Sequence, residues 1–266
     1  MSPLNGRLAM LGAGSMGRAI LQGLLAAGVG TDQLVATGRN PERLAQLAAD
    51  LGIEVTDDNA AAVRDADVVV IAVKPKDVLA LVEGLSFQEG TLLVSVAAGI
   101  SAAALEAAAP TAHVVRVMPN TPARVGQGMS GISGGASATD EDVERAARLM
   151  SAVGRAVVVP ENQQDLVVAA CGSGVAYLFL VAEAMIESGV TLGLTRAQAA
   201  EMVTQTFTGA SAMLATGEHP AMLREAVTSP GGTTAAALRT LEAHGVRTAF
   251  HEAMTAARDA SAALGG

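Results

Sequence analysis

Residues 7–17 read RLAMLGAGSMG, an apolar run followed by three glycines in the pattern G-x-G-x-x-G. The apolar run at 7–11 predicts a buried strand, and the residues after the glycines predict an amphipathic helix. In that setting Gly12 permits a tight turn, Gly14 lets a pyrophosphate approach the backbone, and Gly17 lets helix and strand pack closely. The stretch therefore predicts a strand–turn–helix unit that binds a dinucleotide, although a generic turn of small residues is the alternative.

The rest of the N-terminal part alternates between short apolar runs and helical stretches. The continuous apolar run at 67–73 is typical of a strand that is buried on both faces. Asn40, Pro41 and Glu42 predict the start of a helix. This alternation predicts a doubly wound α/β sheet of the Rossmann type. Further strands are predicted at 33–37, 53–55, 91–96, 113–118 and 156–159, and residues 126–135 are predicted to form a loop or an irregular edge strand.

The character of the sequence changes after Pro160, where no further strand pattern occurs. The sequence therefore predicts two domains, an NAD(P)-binding Rossmann domain at 1–160 and an all-helical domain at 161–266. The predicted helices of the second domain lie at about 166–192, 196–216, 220–227 and from 233 to the end.

Composition excludes several classes of protein. The formal net charge of −9 argues against nucleic acid as a partner, and the single Cys171 excludes an internal disulfide. The longest uncharged stretch, 166–182, is short for a membrane span, and we interpret it as a buried helix, with a subunit interface as one location that would bury it. His244 and His251 lack a third ligand at metal spacing, so no metal site is predicted. These features, with no signal-peptide pattern, predict a cytoplasmic protein that binds no membrane.

The end of the second predicted strand bears on the choice of cofactor. An NAD site usually has an acidic residue there to bind the ribose hydroxyls, but this strand ends in Thr37, Gly38 and Arg39. Thr37 and Arg39 instead suit a 2′-phosphate, so NADPH is favoured and NADH remains possible. The alternative is that Arg39 is an ordinary surface charge.

Two later strand ends face the same predicted crevice. Lys74 could lie near the ribose or the phosphates, or it could be an ordinary charge at a helix start. The small residues at 95–100 leave room for a nicotinamide ring. The predicted cofactor contacts are Leu11, Gly12, Ala13, Gly14, Ser15, Met16, Gly17, Thr37, Arg39, Ala72, Val73, Lys74, Pro75 and Ala98.

Segments along nearly the full length of the chain, from GAGSMG at 12–17 to VTSPGGTTAAALRTLE at 227–242, resemble those of the pyrroline-5-carboxylate reductase family. The most specific segment is VTSPGGTTAAALRTLE at 227–242, because neighbouring dehydrogenases share the glycine turn but lack SPGGTT. The resemblance implies hydride transfer from NAD(P)H to 1-pyrroline-5-carboxylate, giving L-proline. It also implies a homodimer with interleaved C-terminal helices that assembles further in many relatives. The other matching segments are GAGSMG at 12–17, AVKP at 72–75, SVAAGIS at 95–101, VVRVMPNTP at 114–122, GSGVAY at 172–177 and GLTR at 193–196.

The resemblance also implies roles for single residues. Thr234 would be the catalytic residue, hydrogen-bonded to the ring nitrogen of the substrate. Gly232 and Thr233 lie where the N–H groups of a helix start can bind the substrate carboxylate. Glu161 would approach the substrate amine, and Asn59 the cofactor ribose. The alternative for the SPGGTT segment is a capped helix start, but two consecutive glycines exceed what capping needs.

Two departures from the family pattern and two rival functions remain. Val175 stands where the family usually has proline, and Ala226 where relatives often have a polar residue near the cofactor. The chain could instead be an NADPH-dependent reductase of another cyclic imine, or a non-catalytic nucleotide-sensing homologue. A hydroxy-acid enzyme of this plan would need a lysine in its interdomain helix, and residues 161–266 contain none.

Overall fold

The computed structural model describes residues 3–264. The chain forms two compact units, of which one holds the chain up to Ser173 together with the segment from Ala256 onward. The other unit is Gly174–Thr255. The predicted boundary after Pro160 marks the point where the strands end, and the first unit continues beyond it through a short helical stretch.

An eight-stranded sheet forms the centre of the first unit, in the order β3-β2-β1-β4-β5-β6-β7-β8. Strands β1 to β6 are parallel to one another, with the strand order of doubly wound dinucleotide-binding folds. The predicted fold class is confirmed. The strands are β1 (Leu8–Leu11), β2 (Leu34–Thr37), β3 (Glu54–Thr56), β4 (Val68–Ile71), β5 (Leu92–Ser95), β6 (His113–Met118), β7 (Gly128–Gly134) and β8 (Gly154–Val158).

The core lies on both faces of this sheet. Every residue of β1 is fully buried. Met10 belongs to the apolar cluster on one face and Leu11 to the cluster on the other, as the alternation of side chains along a strand requires. The continuous apolar runs therefore make strands that are buried on both faces of the sheet. Because these strands are parallel, their carboxyl ends all lie at the same end of the sheet.

The prediction for residues 126–135 was wrong, because β7 is an interior strand. It is antiparallel to β6 and parallel to β8, which forms that edge of the sheet. The glycines of this strand led to the prediction of a loop or an irregular edge strand, but they are needed for close packing. A Cβ on Gly131 would lie 2.6 Å from Val167, and one on Gly128 would lie 2.9 Å from the Val153 carbonyl oxygen.

The helices of the first unit cover the two faces of the sheet. The predicted cap of the second helix is confirmed, since the Asn40 side chain accepts a hydrogen bond from the Arg43 N–H over 2.9 Å. A 3₁₀ turn (Glu161–Gln163) precedes the last of these helices and a π-helical turn (Val168–Gly172) follows it. The helices of the first unit are α1 (Ser15–Ala26), α2 (Pro41–Leu51), α3 (Asn59–Arg64), α4 (Pro75–Glu83), α5 (Ala102–Ala108), α6 (Asp140–Ser151) and α7 (Gln164–Val167).

The remaining helices include those of the second unit, and two of them begin or end where the sequence did not predict. The predicted helix at 166–192 is divided into α7, the π-helical turn and the next helix. The predicted helix from 233 to the end is two helices, because Gly245 between them has φ +71°, a left-handed conformation that ends a helix. The remaining helices are α8 (Gly174–Thr191), α9 (Arg196–Leu214), α10 (Pro220–Ala226), α11 (Thr233–Ala243) and α12 (Val246–Leu264).

Helix α8 is not buried within this chain, so of the burial predicted for residues 166–182 the chain itself provides that of Val167 and Ala169, and burial at a subunit interface stays a prediction. It has no buried residue, and Phe179 and Leu180 are 68% and 66% exposed. The segment Glu161–Thr191 is long and apolar enough to be a candidate membrane span by length and composition alone. A single helix of this kind is weak evidence for a membrane protein, and the π-helical turn interrupts it.

Candidate active site

The glycine turn after β1 is fixed by contacts with both neighbouring strand ends. The N–H groups of Gly12 and Ala13 donate to the Thr37 carbonyl oxygen over 3.2 and 3.1 Å. Gly12 has φ +91°, and a Cβ there would lie 3.0 Å from the carbonyl carbon of Ala72. Only glycine fits this backbone without strain, so the path of the turn is set before any ligand binds.

The turn leads directly into α1. Gly14 is the N-cap of this helix and makes no side-chain cap, and no described atom lies within 4 Å of the place where its Cβ would be. The N–H groups of Ser15, Met16 and Gly17 begin the helix, whose first turn contains no acidic residue. The helix dipole favours an anion there, so this open turn fits the pyrophosphate of a dinucleotide.

A cleft of about 910 Å³ opens beside the turn. Its volume lies within the usual range for ligand and cofactor sites. The structure brings together in this cleft many of the predicted cofactor residues, which are Gly12, Ala13, Gly14, Thr37, Arg39, Asn59, Ala72, Val73 and Lys74.

Other predicted cofactor residues do not line the cleft. The Leu11 side chain is fully buried in the sheet. A Cβ on Gly17 would lie 2.6 Å from the Gly12 carbonyl oxygen, so this glycine serves the packing of helix on turn. For the predicted residues outside the lining, cofactor contacts through backbone atoms stay predictions. Contacts by the loop after β5 stay predictions as well. The residues outside the lining are Leu11, Ser15, Met16, Gly17, Pro75 and Ala98.

The first turns of α2 and α4 supply lining residues that the sequence analysis missed. Arg43 follows Asn40 by one helical turn, which places both side chains on one face of α2. Lys76 follows the predicted Lys74 in the first turn of α4. A search of the helix starts after each strand would have found both cations. The missed residues are Gly38, Asn40, Arg43, Leu44, Leu47, Asp57, Lys76, Asp77, Ala80 and Leu81.

The end of the cleft beside β2 carries charges of both signs. The Arg39 guanidinium lies 3.3 Å from the Asp77 carboxylate, and the Arg39 side chain is 90% exposed. An ion pair that exposed is weak, so Arg39 remains available to a ligand. Arg43 and Lys76 are two further cations among the residues that line the cleft. This excess of positive charge fits a 2′-phosphate.

The hydroxyl of Thr37 has a partner within the cleft. Its side chain is buried, and the hydroxyl donates to the Asn59 side-chain oxygen over 2.6 Å. The residue therefore lines the cleft and holds Asn59, and its predicted contact with a 2′-phosphate stays a prediction.

Glu161 is held by two groups of the first unit. Its Oε1 atom accepts from Arg116 Nη1 over 2.7 Å and from the Ala102 N–H over 3.0 Å. Its Oε2 atom is buried without a hydrogen-bond partner among the described residues. The predicted substrate contact of Glu161 stays a prediction, and Oε2 is the oxygen that could make it.

The SPGGTT segment forms an uncapped helix start in the second unit. Gly231 has φ +70°, and Gly232 is the N-cap of α11 without a side-chain cap. The first turn of α11 contains no acidic residue. Thr233 is exposed and Thr234 is half-buried. The N–H groups at this helix start are therefore open to an anion such as a carboxylate.

Comparison with known proteins agrees with both parts of this description. Residues 161–264 match the family described as pyrroline-5-carboxylate reductase dimerisation, and residues 7–99 match the family described as NADP oxidoreductase coenzyme F420-dependent. A pyrroline-5-carboxylate reductase of Corynebacterium melassecola is 45% identical, over 97% of this chain and 98% of its own length.

Solved structures give the same result. A pyrroline-5-carboxylate reductase from Coxiella burnetii superposes with a TM-score of 0.94 at 34% identity, covering 99% of this chain and all of that one. The Plasmodium falciparum pyrroline carboxylate reductase, solved with NADP bound, gives a TM-score of 0.87 at 28% identity, covering 98% of this chain and 99% of that one.

The glycine turn, the cleft and the sheet order define an NADP-dependent oxidoreductase. Its C-terminal region matches the dimerisation domain of the pyrroline-5-carboxylate reductases. The chain belongs to the pyrroline-5-carboxylate reductase family.

Proposed function

We propose that this protein reduces 1-pyrroline-5-carboxylate to L-proline, with NADPH as the preferred reductant. The start of α11 carries the proposal, because an uncapped helix start preceded by two glycines supplies both an anion site and the hydroxyl of Thr234. A cyclic imine that bears a carboxylate needs one group of each kind. A dehydrogenase that shares only the glycine turn has no need of this second helix start.

The carboxylate of the substrate would bind the first N–H groups of α11. The Gly232 N–H donates to the Ser229 carbonyl oxygen over 3.0 Å, so the free groups begin with the Thr233 N–H, and no side chain of the described residues caps this helix start. The helix dipole adds a favourable field for the negative charge. The N-cap position also brings the backbone, rather than a side chain, to the ligand, which supports the assignment of Gly232.

Thr234 would hydrogen-bond the ring nitrogen on the other side of the substrate. Its hydroxyl can hold a proton at that nitrogen and so polarise the C=N bond. NADPH, when bound, supplies the hydride. The chain positions and polarises the substrate and excludes water, so no strongly basic catalytic residue is needed. The buried Oε2 atom of Glu161 supports a contact with the protonated nitrogen.

The pyrophosphate of NADPH would lie on the start of α1, and the adenosine 2′-phosphate near Arg39 and Arg43. Ala98, in the loop after β5, would leave space for the nicotinamide ring. The absence of an acid at the end of β2 and the cations of the cleft favour NADPH over NADH.

The dimer would form by interleaving of the C-terminal helices of two copies. The exposed apolar side chains of α8, including Phe179 and Leu180, support this arrangement because they have no cover within the described chain. The same surface explains the apolar stretch without a membrane. We place the protein in the cytoplasm.

The test is NADPH oxidation by the wild type and Thr234→Ala with racemic 1-pyrroline-5-carboxylate, with proline quantified as product. We expect turnover by the wild type and a large loss of activity in Thr234→Ala, with unchanged NADPH affinity. Thr240→Ala, in the same helix, is the control, since its hydroxyl donates only to the Ala236 carbonyl oxygen. Full activity of Thr234→Ala would contradict its role. NADPH binding by the wild type without turnover would favour another imine substrate or a sensing role.

A further inference from the structure

Arg116 is a largely buried cation in the middle of the sheet. It lies on β6, opposite Ser95 of β5 and opposite Ser133 of β7. Its side chain is 12% exposed. A cation at that depth needs a partner, because burial of an unpaired charge is costly.

The partner of Arg116 comes from the segment after the last strand. Nη1 of Arg116 donates to Oε1 of Glu161 over 2.7 Å. Glu161 begins the 3₁₀ turn that follows β8. The pair therefore joins the middle of the sheet to the start of the helical segment, and a partly buried charge pair of this geometry is strongly directional.

The same carboxylate oxygen also fixes the start of α5. Oε1 of Glu161 accepts the N–H of Ala102, the first residue of that helix, over 3.0 Å. The Ser101 hydroxyl caps another N–H of the same first turn, that of Ala104. The loop at 96–101 is thus held at one end by β5 and at the other end by Glu161.

We propose that Arg116 is a positioning residue for the reductase reaction. Through Glu161 it fixes the first turn of α5 and with it the loop at 96–101, on which the nicotinamide half of the cofactor lies. The place of the nicotinamide rests on the proposed function. Since Oε2 of Glu161 has no partner among the described residues, Arg116 is the only described cation that pairs with this carboxylate.

Binding of two ligands separates this role from a general structural one. In Arg116→Met the affinity for 2′-phospho-ADP-ribose, which lacks the nicotinamide, should stay unchanged because the glycine turn and the cations of the cleft are intact. The fluorescence change of NADPH on binding, which reports its nicotinamide half, should fall. The rate of hydride transfer should fall about ten- to a hundredfold, the usual effect of a displaced reacting group.

Matched variants complete the test. Arg116→Lys should recover most of the rate, because it restores the charge. Arg155→Met, which removes an exposed arginine of β8, should behave as the wild type. Adding Glu161→Gln to Arg116→Met should lower the NADPH fluorescence change, measured without substrate, little further, because the two residues act on the loop as one unit. If Arg116→Met misfolds, Arg116→Lys and Glu161→Gln still report the nicotinamide signal.

A parallel loss of affinity for both ligands, or an unchanged hydride rate with unchanged NADPH fluorescence, would overturn the proposal. The fluorescence signal needs no turnover. If the wild type binds NADPH but reduces no pyrroline-5-carboxylate, the proposed function fails while the role of Arg116 remains testable by binding alone.

Discussion

The Thr37 hydroxyl donates a hydrogen bond to the Asn59 side-chain oxygen over 2.6 Å, at the base of the cofactor cleft. The carbonyl oxygen of the same threonine accepts the N–H groups of Gly12 and Ala13. Thr37 therefore links the glycine turn to the residue proposed to contact the ribose. The end of β2 therefore holds both the glycine turn and Asn59 in place.

Thr37→Val tests this link, because it keeps the shape of the side chain and removes the hydroxyl. We expect the dissociation constant for NADPH to rise by about three- to tenfold, as for the loss of one hydrogen bond. The control is Thr111→Val, which removes a hydroxyl bonded to the Phe87 carbonyl oxygen elsewhere in the first unit. Equal NADPH affinity in Thr37→Val and the wild type, measured by calorimetry, would contradict the role.

Two glycines of the same turn should respond differently to alanine. Gly14→Ala should leave the melting temperature unchanged, because its Cβ meets no described atom, but should weaken NADPH at least about tenfold by filling the pyrophosphate space. Gly12→Ala should cost about 1–3 kcal/mol of folding free energy, because its φ is +91° and Val73 lies 2.7 Å from the new Cβ. Similar losses of stability in both variants would argue against the assignment.

The preference for NADPH should depend on Arg39 and Arg43. Replacing either with glutamine should raise KM for NADPH about tenfold and leave KM for NADH unchanged, because only NADPH carries the 2′-phosphate. Asp77→Asn should act in the opposite direction, since it removes the acid paired with Arg39. Arg64→Gln, an exposed arginine of α3, serves as the control. Equal effects on both cofactors would place the 2′-phosphate elsewhere.

Asp142 should make the stability of the first unit sensitive to acid. Burial alone would raise the pKa of Asp142, but hydrogen bonds from Thr139 and the pairing with His113 outweigh it and hold this pKa below its ordinary value. A carboxyl with a lowered folded pKa stabilises the protein above its unfolded pKa, and this contribution is lost as pH falls through the folded pKa.

Asp142→Asn should therefore lower the free energy of unfolding by about 2 kcal/mol at neutral pH, with a smaller difference in acid. Urea unfolding at both pH values measures it. Glu141→Gln, an exposed neighbour in the same first turn of α6, is the matched control. A difference between Asp142→Asn and the wild type that does not change with pH would contradict the assignment.

The exposed face of α8 should carry the dimer contact. Phe179→Glu should shift the protein from dimer to monomer in light scattering, because a buried charge at an apolar interface is costly. Val157→Glu changes a partly exposed apolar residue of β8 and should leave the dimer intact. A dimer that tolerates Phe179→Glu would place the interface on other helices.

Local patterns in the sequence predict those strands, turns and helix starts that depend on residues close together in the chain. The run at 7–17 predicts β1, the turn and the start of α1, because periodicity, glycines and helix position all occur within one short segment. The interior position of β7 was missed, because its glycines are required by close packing against Val167 and Val153. These two residues lie far away in the chain, so the local pattern does not reveal them.

The same limit applies to the site. Thr37 was predicted to bind phosphate from its place at a strand end, but its hydroxyl has a partner from the start of α3. Arg43 and Lys76 reach the cleft only because α2 and α4 begin at the same edge of the sheet. The exposure of Phe179 fits the proposed dimer, in which a second copy would cover α8.

The most direct test of the central claim follows the hydride itself. NADPH labelled with deuterium at the transferred position of C4 is incubated with the wild type and pyrroline-5-carboxylate, and the proline is analysed by mass spectrometry and NMR. The account predicts one deuterium per proline, on the carbon that was the imine carbon. Unlabelled proline, or NADPH oxidation without proline, would contradict it.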